Sequence, residues 1–148
     1  MRLAVGSDEC TPLAEAVVAE LRRRGHQVLL FGALSGVEPQ WPDVARHVGE
    51  AVSGGTCQQG ILFCWTGTGV SIAANKVQGV RAALCADAAT ASGARRWNDA
   101  NVLCMSLRST SEPLAKEILD AWFTASPDPD EAENIRKVRA MDPPRVAR

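Results

Sequence analysis

The run Gly60-Ile61-Leu62-Phe63-Cys64 is apolar without interruption, and Thr66-Gly67-Thr68-Gly69 follows it at once. A strand with one wet face alternates apolar and polar residues; a strand covered on both faces does not. This segment therefore predicts an inner strand of a parallel sheet, followed by a tight loop and a helix through Lys76. The same punctuation recurs along the chain. Leu3–Gly6, Val28–Phe31, Val80–Leu84 and Val102–Met105 read as further strands. Thr11-Pro12 supplies an N-cap and a first-turn proline, Leu13, Val17, Val18 and Leu21 fall at helical spacing, and Gly25 closes that helix. Further helices are predicted from about Pro42 to Gly54, from Asp87 to about Arg96, from about Glu112 to Phe123 and from about Glu131 to Met141. Parallel neighbours need long crossovers, so five strands separated by helices predict a three-layer α/β/α sandwich with a five-stranded, parallel, Rossmann-like sheet. Residues 1–141 form one domain in this reading, and 142–148, entered through Pro143-Pro144, form a mobile tail.

Composition excludes several classes. The chain has 148 residues, 46% hydrophobic and 22% charged, which suits a packed core. A formal net charge of −1 offers no footprint for nucleic acid or an anionic membrane surface. No stretch approaches the ~18 apolar residues of a membrane span, and the short run before Asp8 does not suit a signal peptide. The five cysteines are odd in number and contain no Cys-x-x-Cys pair, and only two histidines accompany them. A structural zinc site is not expected, and reduced thiols in a cytoplasmic protein are. His26 and His47 read as solvated helix residues.

Ligands of such sheets sit outside the carboxyl ends of the strands. That rule selects Ser7-Asp8-Glu9, Cys64 to Gly69, Ala86-Asp87 and Ser106-Leu107-Arg108. Two glycines between a strand and a helix expose successive backbone N–H groups at a positive helix end, which suits an anion or an oxyanion. A thiol opening that loop can serve as base or nucleophile. The plainer alternative is a tight turn beside a small apolar strand-end residue. The loop lacks the Gly-Lys-Ser/Thr of a phosphate-binding Walker motif.

Gly60 to Ala83, with Cys64-Trp65-Thr66-Gly67-Thr68-Gly69-Val70-Ser71 and Asn75-Lys76 inside it, resembles the ribose-5-phosphate isomerase B / LacA / LacB family of sugar-phosphate isomerases. So do Trp97-Asn98-Asp99-Ala100-Asn101 and the opening Gly6-Ser7-Asp8, and the resemblance covers about residues 2–141. It implies aldose–ketose isomerisation through an enediolate, no metal or cofactor, and a homodimer or dimer of dimers with sites at the subunit boundary. It implies that Cys64 moves the proton between C1 and C2 and that Thr66 takes part in ring opening. Asp8 would stand beside the sugar hydroxyls. Asn98 would be a site asparagine and Arg108 a phosphate contact. Gly67, Thr68, Gly69 and Ser71 would line the substrate.

The departures share a direction. Glu9 stands where the family usually has His, Trp65 where it has Gly, and Trp97 where it has His. Gln40-Trp41-Pro42 replaces Asp-Tyr-Pro. The phosphate-gripping Arg and His residues of the family's last helix align with Glu133, Asn134 and Lys137, with Arg136 and Arg139 as substitutes. Glu9, Trp41, Trp65, Trp97 and Lys137 thus complete the expected substrate contacts. A carboxylate about 4 Å from a phosphate costs on the order of 4 kcal/mol at an effective dielectric near 20. A retuned pocket is expected, the alternative being tryptophans that fill vacated space.

Overall fold

The computed structural model describes residues 1–37 and 40–144. Its elements are β1 (Arg2–Ser7), α1 (Pro12–Arg23), β2 (Gln27–Gly32), α2 (Trp41–Ser53), β3 (Gln59–Cys64), α3 (Thr68–Ala74), β4 (Ala82–Leu84), α4 (Ala88–Asn98), β5 (Val102–Ser106), α5 (Glu112–Thr124) and α6 (Ala132–Ala140). All five strands are parallel, in the order β2-β1-β3-β5-β4. This is the predicted α/β/α sandwich. Helix starts follow local chemistry. The side chains of Thr11, Asp87 and Ser111 accept from the amides of Ala14, Thr90 and Leu114 at 3.2, 2.7 and 3.2 Å.

Strand residues alternate between two cores. Leu3, Val5, Ile61, Phe63, Leu103 and Met105 face α1, α4 and α5, where Trp122 is fully buried. Ala4, Leu62, Cys64, Val102 and Cys104 face α2 and α3. Here α2 lies close on the sheet: a Cβ on Gly6 would fall 2.6 Å from Val44, and one on Gly60 2.8 Å from Val48. Trp122 keeps its polar atom satisfied by donating to Gln59 Oε1 at 2.8 Å, which ties α5 to β3.

Two differences from the sequence reading have physical causes. Val80 and Arg81 are spent on a turn and not on β4: Asn101 accepts from Arg81 N at 2.7 Å and donates to Gly79 O at 2.9 Å. His26 is half-buried and not solvated, because its ring stacks on Phe123 with centroids 4.8 Å apart. Burial holds its pKa below the usual value. Arg23 and Arg24 close on Glu20 at 2.6 and 2.7 Å and bring its carboxyl down to about 2. At the other end of the chain, Asp142 accepts from Gly79 N at 2.9 Å and Pro143 O accepts from Gln78. Residues 145–148 of the expected tail lie outside the described residues. Among the described residues, no helix is long and apolar enough to cross a membrane.

Candidate active site

The strand order reverses between β1 and β3, since β1 leads outward to β2 and β3 leads the other way to β5. The crevice at that reversal is the ligand position of open parallel sheets. Asp8 leaves β1 there, and Cys64 ends β3 there.

Two buried serines hold the loops that bound this crevice. Ser7 Oγ donates to Glu9 O at 2.6 Å and accepts from Glu9 N at 3.2 Å, which fixes the turn around Asp8. Ser106 Oγ donates to Trp65 O at 2.9 Å and accepts from Ser109 N at 3.1 Å. Leu107 N and Arg108 N then donate to Cys64 O and Trp65 O at 3.0 and 2.9 Å. The Cys64 and Arg108 loops are therefore zipped together by backbone, and Arg108 stands beside the thiol strand. Neither serine stood out in sequence as a clip; position at a strand end was the only signal.

The Cys64 loop turns sharply because Gly67 has φ +76°, a left-handed conformation that favours glycine. A Cβ there would also fall 2.6 Å from Leu84 and 3.0 Å from the Met105 carbonyl carbon. Gly67 N-caps α3, so the first amides of that helix, from Thr68 onward, have no helical acceptor. Thr66 and Thr68 share a hydroxyl–hydroxyl bond of 2.7 Å above them. Cys64 itself is 6% exposed. Ser71 is half-buried, with its hydroxyl against the buried Cys104 thiol. Burial pushes the Cys85 thiol up to about 12 and raises that of Cys104, so both stay protonated and inert.

Asp8 is the strained charge of the crevice. Its Oδ1 is buried without a hydrogen-bond partner, and burial, with a smaller push from Glu9, holds its pKa above the ordinary value. Three tryptophans are surface residues: Trp41 is 43% exposed, Trp65 56% and Trp97 52%. Trp41 lies against Gly69 at the mouth of the Cys64 loop.

The remaining candidates are elsewhere. Trp97 and Asn98 close α4, beside Asn101, which bonds Arg81 just before β4. They sit at the amino ends of the strands, one whole helix away from the crevice; eleven residues of α-helix span roughly 16 Å. Asn98 lines a separate cavity of about 390 Å³ with Asn75, Arg81 and Arg139. Lys137, on α6, pairs with Glu133 at 3.0 Å. One chain therefore brings together Asp8, Glu9, Trp41, Cys64 to Gly69 and Arg108, and leaves Trp97, Asn98 and Lys137 at the opposite end. Asn75, part of the motif that carried the resemblance, is structural: its amide donates to Ala82 O at 2.9 Å and accepts from Ala82 N at 2.8 Å, covering the open edge of β4.

Comparison with known proteins agrees with this geometry. The sequence model of the ribose/galactose isomerase family matches residues 3–141. The chain is 43% identical over 113 residues to ribose-5-phosphate isomerase B of Escherichia coli (strain K12), covering 76% of each. It is 39% identical over 127 residues to D-erythrulose-4-phosphate isomerase of Pectobacterium atrosepticum, covering 84% of each. The solved ribose-5-phosphate isomerase B of Clostridium thermocellum superposes with a TM-score of 0.88 at 36% identity, covering 95% of this chain and 97% of that one. With the family match running nearly end to end, over a sheet whose strand order puts Asp8 and Cys64 in one crevice, the chain belongs to the ribose/galactose isomerase family.

Proposed function

We propose that the protein is an aldose–ketose isomerase that acts on a sugar or sugar phosphate through an enediolate, with a substrate preference different from that of ribose-5-phosphate isomerase B. The observation that supports it most is that Cys64 ends β3 at the head of an amide loop, at the same strand-order reversal that Asp8 enters from β1. Thr66, bonded to Thr68, passes a proton between the ring oxygen and O1 as the sugar opens. Cys64 then takes the C2 proton, and the negative charge that develops on O1 is met by the amides of 66–69. The O2 proton passes to O1, the C2 carbonyl forms, and Cys64 returns its proton to C1. Asp8 accepts from the sugar hydroxyls with its carboxylate. Gly67, Thr68, Gly69, Ser71 and Arg108 line the same pocket, with Glu9, Trp41 and Trp65 reshaping it.

Asn98, Trp97 and Lys137 act in this reading on the crevice of a second copy, because their own crevice lies a helix-length away. The active unit is thus a homodimer or a dimer of dimers. Glu9 and Trp97 in place of histidines favour a second reading, a non-catalytic or regulatory sugar-binding subunit. Incubating the purified protein with phosphorylated and free tetroses, pentoses and hexoses in deuterated water separates the two. Deuterium at C1 or C2 identifies both activity and substrate, with D-ribose 5-phosphate a poor substrate. No exchange into any sugar that binds supports the second reading. Exchange into D-ribose 5-phosphate as fast as in an ordinary relative defeats the altered preference.

A further inference from the structure

The Asp99 carboxylate gathers three guanidinium groups from three parts of the fold. Arg81, just before β4, reaches Oδ2 at 3.2 Å; Arg95 of α4 reaches Oδ1 at 3.3 Å; Arg139 of α6 also reaches Oδ2. Arg81 Nε donates to the Asp99 carbonyl as well, at 2.8 Å. Asp99 itself caps the end of α4 with φ +46°, the only described non-glycine residue at positive φ. Arg95 is held from behind over the Trp122 ring, 5.5 Å from its centroid.

This cluster matters because α6 has little else to hold it. The helix is nine residues long and buries only Ile135. A helix of that length has no stability of its own in water. Its seat is Ile135 and the Arg139–Asp99 contact, with Asp128 N donating to Arg96 O at 2.8 Å before the helix and the Asp142–Gly79 and Pro143–Gln78 contacts after it. The residue before Asp99 is Asn98, and the basic side chains before Arg139 are Arg136 and Lys137.

We propose that Asp99 is a positioning residue that locks the Asn98 end of α4 and the basic side of α6 into one unit, presented to the phosphate end of a substrate in a second copy. The proposal rests on the reading above that Asn98 and Lys137 serve a second copy's crevice. Asp99 touches no substrate; it acts through Arg139 and through its neighbour Asn98.

The test uses Asp99→Asn, which keeps the volume and tolerates the left-handed backbone while removing the charge. Arg139→Met removes the partner from the exposed side and spares the buried arginines. In both, amide exchange across residues 132–140 speeds by roughly tenfold or more while the core strands are unaffected. With whichever of D-ribose 5-phosphate, D-erythrulose 4-phosphate or D-galactose 6-phosphate turns over, KM rises about tenfold and kcat changes much less, short of the hundredfold cost of misplacing reacting groups by 1 Å. The double variant is no worse than Asp99→Asn alone. Unchanged exchange in α6, or faster exchange with unchanged KM, overturns the proposal. If the unmodified protein isomerises none of these sugars, the isomerase reading fails by itself. Inorganic phosphate then serves as the probe: a higher concentration needed to protect α6 in Asp99→Asn upholds the positioning role, and an unchanged one overturns it.

Discussion

Trp41 and Gly69 are in direct contact at the mouth of the crevice: a methyl group on Gly69 would lie 3.1–3.3 Å from three atoms of the indole ring. Gly69 does not have positive φ, so it is glycine for room and not for conformation. Gly67, two residues earlier, is glycine for both reasons, and its neighbours include the immovable Met105 backbone. Trp41 starts α2, so this contact is how α2 sets one wall of the Cys64 loop.

The two glycines therefore respond differently to alanine. Trp41 is 43% exposed and can swing outward, so Gly69→Ala costs at the low end of the ~1–3 kcal/mol typical of overpacking. Gly67→Ala costs more, because neither φ nor Met105 can yield. The Gly69 cost nearly vanishes in a Trp41→Ala background. Urea unfolding of the four members of that cycle measures the coupling, and strict additivity would show that the ring does not govern Gly69.

Cys64→Ala is expected to abolish deuterium entry at C1 and C2 while leaving the fold intact. The thiol is buried, and losing one sulfur from a site near the surface costs about 1–2 kcal/mol, within ordinary single-substitution losses. Circular dichroism and the exchange assay on the same sample check both halves. A folded variant with full exchange would mean that another group moves the proton.

Much of this was legible in the sequence because periodicity and caps report locally. The uninterrupted run ending at Cys64 places β3 inside the sheet, and Thr11 and Asp87 mark helix starts by the bonds they make there. Strand-end position picked out Asp8 and Cys64 together with Ala86-Asp87 and Ser106 to Arg108; that the first two share a crevice came from the strand order. What stayed hidden depends on contacts distant in sequence. Nothing near Asp99 signals that Arg81, Arg95 and Arg139 converge on it. The predicted helix from Asp87 already put Trp97-Asn98 near its end, while the family resemblance put both in the site; only the structure shows the distance between the two. Asn75 and Asn101 belong to the runs that carry the family resemblance, and their part in holding β4 and its turn is visible only in the structure, because a polar side chain pairing with backbone looks the same in sequence as one awaiting a ligand.

Asp8 links pH to stability with a definite sign. Its carboxyl binds a proton more tightly in the folded state than the ordinary value of 3.8 allows, because burial disfavours the charge. That advantage is complete below 3.8 and is lost as pH rises through the raised folded value. As pH rises, the ionised Asp8, with its Oδ1 buried and unpartnered, thus weakens the fold. Asp8→Asn should raise the melting temperature at pH 7, with the gap from the parent closing as pH falls toward 4, while isomerase activity is lost. A lower melting temperature at pH 7 would show that Asp8 has a native partner that this geometry lacks.

Trp97 decides between a reshaped pocket and space filling. Half of it is exposed, its ring rests on Gly93 one turn earlier, and Arg96 lies 6.0 Å from the ring centroid. A ring that fills a void is enclosed; this one covers its own helix and faces outward. Trp97→His should therefore move the melting temperature little, far less than the several kcal/mol that truncating a buried aromatic costs. In the proposed dimer the indole meets a second copy's crevice, so the same change should weaken binding of the native sugar. It should also give D-ribose 5-phosphate turnover a new dependence on a group titrating near neutral pH, since imidazole can then carry the ring-opening proton. Ligand affinity, followed by tryptophan emission, is paired with melting temperature on one preparation. A large loss of stability beside unchanged affinity would return Trp97 to the role of filler.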